Sequence, residues 1–214
     1  MQRSPRYRAA MASTVGALFA AAGVRRLGAV PWQTAVPSVC PGVYVVARVS
    51  DPAGQVSGDA DIDLSAVRQL LEIRKELTLD GQRPSPEALS DRLMSMWLPD
   101  EPAIYVGLAS TSLRNRVSQF YRTRLAARSP HAGGWPLKCI KDLSTAWVHF
   151  GECANVKVAE RKMLESFMSA LGPVARERTI DPELPLPYAN LEIKDSSNRR
   201  RIKRHGISGA KATR

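Results

Sequence analysis

The sequence predicts an α+β fold, a small antiparallel sheet of about three strands flanked by helices. Three short runs dense in β-branched and aromatic side chains, near residues 42–49, 103–109 and 146–150, read as the strands. Stretches with apolar residues at helical spacing lie between and after them and end at Gly or Pro breaks. No internal repeat is present, so the elements add up to one sheet with helices around it.

The first segment, Ala9 to Val24, is apolar and flanked by Arg3, Arg6, Arg8, Arg25 and Arg26. It is too short and too broken by Gly, Ser and Thr to span a bilayer, and is expected to be a helix packed on the domain. Val30-Pro31-Trp32 and Val36-Pro37 form a lead-in held extended by the prolines. The first strand begins at Gly42-Val43-Tyr44-Val45-Val46, and residues 103–109 are its expected partner.

An insertion separates these two strands. It is turn-rich to Asp63, helical from about Leu64 to Leu77, broken by Gly81, Pro84 and Pro86, and helical again from about Glu87 to Trp97. Beyond the second strand, Leu113, Val117 and Phe120 share a predicted helix with Arg114, Arg116, Arg122, Arg124 and Arg128, apolar on one side and basic on the other. The turn His131-Ala132-Gly133-Gly134 leads toward the third strand. The last helix, about Val156 to Leu171, stops at Gly172-Pro173. These breaks divide the chain into a lead-in (1–40), a compact domain (41–193) that includes the insertion (50–100), and a basic arm (194–214).

With 214 residues, the chain has length enough to bury roughly 70% of the surface its unfolded form exposes. Apolar residues make up 44% and charged ones 24%, which excludes global disorder. The charge is the unusual feature: 31 Lys and Arg against 20 Asp and Glu leave a net +11 and imply a polyanionic partner. Residues 194–214 carry eight of those cations and one acid, net +7, and read as an arm without fixed structure until it meets phosphate. Cys40, Cys139 and Cys153 have no metal-ligand or disulfide-framework spacing, in keeping with a reducing cytoplasm.

Two glycine-linked tyrosines, in Gly42-Val43-Tyr44 and Ile104-Tyr105-Val106-Gly107, are followed by Arg116, His131, Glu160 and Asn190. The order and type of these residues resemble the GIY-YIG nuclease family. The resemblance implies a compact α/β domain that hydrolyses phosphodiester bonds in double-stranded DNA with two tyrosines, an arginine and one metal-binding glutamate. It implies that Tyr44 receives a proton from the attacking water, Tyr105 orients the water or phosphate, Arg116 grips the scissile phosphate and Asn190 ties the C-terminal segment to the site. Arg116 follows Leu113 by three, as in the family, although its distance from Tyr105 is one residue longer than usual, which leaves Arg114 as an alternative. Four residues on, where many relatives have histidine or tyrosine, stands Phe120, and His131 is the residue that would stand in for it.

Helix geometry selects the acid. Glu160 and Glu165 point about 140° apart at 3.6 residues per turn, so only one faces the sheet. Val156, Met163, Leu164, Phe167 and Leu171 place Glu160 at the centre of the apolar stripe and Glu165 on the solvent side. A carboxylate in such a place needs a metal, an arginine or a set of donors. One carboxylate plus waters suits Mg2+, or another divalent cation such as Mn2+.

The expected function is therefore a metal-dependent DNA endonuclease, with a role in restriction or defence as the finer reading. Arg122, Arg124, Arg199, Arg200, Arg201, Lys203 and Arg204 are expected to grip the DNA backbone, and the insertion either recognises the target or buttresses the core. Symmetric cutting by a one-site domain would require a homodimer or sequential nicking. The alternatives are a DNA-binding module of the same fold that has lost cutting, and an RNA-directed nuclease. No membrane association is expected.

Overall fold

The computed structural model describes residues 13–127 and 134–210. Its central sheet has four antiparallel strands, one more than the sequence predicts. They are β1 (Gly28–Pro31), β2 (Gly42–Ala47), β4 (Ala103–Ala109) and β5 (Trp147–Glu152), in the order β1-β5-β2-β4. The additional strand comes from the lead-in. Pro31 sits at its end and on the sheet edge, where a missing N–H costs no ladder bond.

In chain order the helices are α1 (Val15–Ala21), α2 (Leu64–Ile73), α3 (Pro86–Met94), α4 (Leu113–Arg122), α5 (Val156–Ala170) and α6 (Pro173–Glu177). Four of them start on a side-chain cap, with Thr14, Asp63, Ser85 and Ser112 accepting from main-chain N–H groups of the first turn. The helix expected to reach Leu77 ends at Ile73, and the chain turns to form β3 (Thr78–Leu79).

Strand alternation divides the core in two. Tyr44, Val46, Tyr105, Val148 and Phe150 face a large cluster built with α4 and the insertion, through Leu70, Leu89, Leu93 and Phe120. Val43, Val45, Ala47 and Val106 face the other way, onto α1 and α5, through Leu18, Phe19, Met163 and Phe167. The insertion is thus part of the main core, with Trp97 meeting Tyr188 edge-on at 5.2 Å.

Residues 194–210 of the C-terminal arm are folded, against expectation. β6 (Glu192–Lys194) and β7 (Arg200–Ile202) form a hairpin, and β8 (Ile207–Ser208) pairs with β3 of the insertion. Three of its cations form ion pairs within the molecule: Arg199 with Asp195, Arg200 with Glu192 and Arg204 with Asp181. Lys203 is only 3% exposed and donates to the carbonyls of Leu186, Pro187 and Tyr188. Among the described residues, no helix is long and apolar enough to cross a membrane.

Candidate active site

Tyr44 lies mid-strand on β2, opposite Gly107 of β4. The glycine is required by contact: a Cβ there would come within 2.5 Å of Tyr44 Cζ, 2.7 Å of its hydroxyl and 2.8 Å of Tyr105 Cε1. Its absence lets the two phenols share one face of the sheet, with ring centroids 6.0 Å apart and a tilt of 48°. Tyr105 is packed in turn on Phe120 at 5.4 Å. Gly134, in the left-handed region at φ 65°, passes close beneath both rings.

Burial pushes both phenols well above the ordinary tyrosine value. Their hydroxyls are hydrogen-bonded to each other. The half-buried Arg116, on α4, lowers both, and the Glu160 charge raises both. The four groups are therefore within electrostatic reach of one another. Of the two tyrosines, only Tyr105 lines the adjoining cavity, while Tyr44 is fully buried behind it.

Glu160 is half-buried on α5, with Val156, Met163, Leu164 and Phe167 buried along the same helix. Burial pushes its carboxyl up to about 7, Arg116 opposes this, Glu192 adds to it and Lys194 opposes it. Glu165 is exposed and pairs with Arg161 at 3.7 Å, as the helix geometry requires.

Asn190 works through the main chain. Its Oδ1 accepts from Val106 N–H and its Nδ2 donates to Val106 C=O, both at 2.8 Å, and Ala189 N–H donates to the Ile104 carbonyl at 3.0 Å. The segment covers the open edge of β4 and so fixes the strand that carries Tyr105.

Tyr105, Glu160 and Asn190 open onto a cavity of about 540 Å³ at the β4 edge, lined also by Gly134, Glu192 and Lys194, among others. Sequence reasoning did not single out Glu192 and Lys194. The alternation Asn190, Glu192, Lys194 was the available signal, since it puts three polar side chains on one face of an extended segment.

The residues expected to grip DNA are dispersed. Arg122 and Arg124 are exposed at the end of α4, and Arg201 reaches the Glu183 carbonyl at 3.3 Å. Lys203 is corrected from a DNA-contacting residue to an internal strut, because its ammonium is consumed by three carbonyls. His131 lies outside the described residues. Phe120 is fully buried between Trp32 and Tyr105 and offers no proton-transfer group.

Among the described residues, no cluster of three or more His, Cys, Asp or Glu occurs. A cation here would be held by Glu160, with Glu192 nearby and water completing its shell. That donor set fits Mg2+, which takes one or two carboxylates and keeps several waters. The raised Glu160 carboxyl, short of compensating charge, is consistent with such a guest. In comparisons with known proteins, no family model, curated protein or solved structure matches the chain.

Proposed function

We propose that this protein is a metal-dependent endonuclease that hydrolyses phosphodiester bonds in DNA. The observation that carries the reading is that two phenols, the Arg116 guanidinium and the half-buried Glu160 carboxyl lie within electrostatic reach of one another, with Tyr105 and Glu160 lining one cavity. Arg116 would hold the scissile phosphate through paired hydrogen bonds. Tyr105, which faces the cavity, would contact the attacking water, and Tyr44 would position Tyr105 from behind. This exchanges the roles that the resemblance implies, because a fully buried Tyr44 cannot touch water directly. Asn190 holds the β4 edge in register, and Glu160 would bind the cation. A divalent cation bound there supplies charge against the negative charge that develops on the phosphoryl oxygens.

Incubating supercoiled plasmid with Mg2+ tests the proposal. The wild type should nick it, and Glu160→Gln and Arg116→Ala should each lose roughly 10² to 10³ in rate. Equal nicking by wild type and Glu160→Gln would remove the catalytic assignment. A second reading, a DNA-binding module that does not cut, is favoured by one observation, the sealed Phe120 at the family's histidine or tyrosine position. Binding of DNA by the wild type with no nicking in Mg2+ or Mn2+ would favour it.

A further inference from the structure

The cavity beside Glu160 has two walls of different origin. One is α5, through Lys157, Val158 and Arg161; the other is the β6–β7 hairpin with its turn, through Lys194, Ser196 and Asn198. The hairpin is a built element. Ile193 anchors it in the core shared with α5, and Asp195 Oδ1 accepts from the main-chain N–H of Ser197 and of Arg199, both at 2.9 Å.

Charge is distributed unevenly over this region. Arg199, Arg200 and Arg204 are engaged by Asp195, Glu192 and Asp181, and Lys203 is buried. Lys157 and Lys194 are exposed and form no ion pair among the described residues, and they stand on opposite walls of the cleft. Between them the lining has an apolar and aromatic part, from Leu108, Leu191, the exposed Val158 and Tyr105, and an acidic part, from Glu160, Glu192 and Asp195, of which Asp195 is paired with Arg199 and Glu192 with Arg200.

We infer that this cleft holds a single strand of nucleic acid, with phosphates on Lys157 and Lys194 and bases against the apolar floor. Cationic walls beside an aromatic and apolar surface are the combination that single strands require. At about 540 Å³ the cleft falls among ligand sites of about 300–1,000 Å³ and fits a short run of one strand, whereas a duplex has a major groove alone about 12 Å wide. The inference rests on the proposed function for its meaning, since the strand would pass Glu160. On duplex DNA it requires one strand to be locally freed.

The test is fluorescence anisotropy with the full chain in EDTA, which separates binding from cutting. The probes are a labelled oligo-dT, an oligo-U of equal length and a blunt hairpin duplex. Either single strand should bind more tightly than the duplex. Lys157→Gln with Lys194→Gln should weaken that binding roughly tenfold and reduce the salt slope by about 0.7 for each phosphate no longer neutralised. Arg25→Gln with Arg178→Gln, both exposed and outside the cleft lining, should leave it unchanged. Duplex binding as tight as single-strand binding would overturn the inference, as would an equal weakening by this control pair or single-strand binding insensitive to the cleft pair. Nicking that depends on Glu160 but ignores the cleft pair would sink the strand cleft and leave the nuclease standing. Cleft-dependent strand binding without nicking would do the reverse.

Discussion

Adding a methyl group at Gly107 would drive it into the Tyr44 and Tyr105 rings, both held by close neighbours. Gly107→Ala should therefore destabilise the fold by about 1–3 kcal/mol, the usual cost of overpacking, and abolish nicking while DNA binding in EDTA persists. Thermal melts and anisotropy check the two halves separately. Glu160 makes a prediction with a definite sign. Its folded carboxyl is pushed up to about 7, so the folded state binds the proton more tightly than the unfolded chain. The cost of its charge is fully present above about pH 7 and disappears as pH falls below the ordinary carboxylate value. Glu160→Gln should melt a few degrees above wild type at about pH 8 in EDTA and nearly level with it at about pH 4.5. Mg2+ should raise the melting temperature of the wild type but not of the variant. Its apparent affinity should weaken by up to about tenfold per pH unit below about 7, because the ligand must first lose its proton. A variant no more stable than wild type in the alkaline melt would contradict a buried carboxyl short of compensating charge.

At the scale of elements, the C-terminal segment is a structural part of the domain rather than a detachable arm. Lys203 joins it to the carbonyls of residues 186–188, β8 pairs with β3, and Ile207 and Ala210 lie in the main core. Truncation after Ile193 should cost cooperative folding, seen as a broadened or absent thermal transition, rather than only a weaker salt dependence of binding. Lys203→Ala should destabilise by several kcal/mol, since three buried carbonyls lose their donor and a void remains. Lys203→Met, which keeps the volume, separates the two contributions. The insertion follows the same logic, because α2 and α3 bury Val67, Leu70, Leu89 and Leu93 in the core. Deleting them would remove core, which makes them buttresses whatever else their outer faces do.

Across the described residues, part of the positive charge behind the net +11 is already paired within the molecule. Much of the C-terminal charge is neutralised by Asp181, Glu192 and Asp195, and the cations left over at the cleft set where a polyanion would be held. Two half-buried or buried carboxyls, Glu101 and Glu160, are each pushed up to about 7, in both cases mainly by burial. In EDTA their joint contribution should lower stability as pH rises from about 4.5 to about 7, and replacing both with Gln should flatten that part of the melting profile. A profile unchanged by the double replacement would contradict the burial of these two groups.

The sequence alone determined the β-branched strands, the helix stop at Gly172-Pro173, the inward placement of Glu160 over Glu165 and the linking of each tyrosine to a glycine. These depend on periods of about two and 3.6 residues and on local sterics, which act over a few positions. Only the tertiary structure decided that the lead-in joins the sheet, that the basic arm folds, that Tyr105 rather than Tyr44 meets the cavity, and that Glu192 and Lys194 stand beside Glu160. Each of those outcomes depends on partners far apart in the chain, such as Asp181 with Arg204 or Asn190 with Val106, and burial depth is a property of the packed molecule rather than of any segment of it.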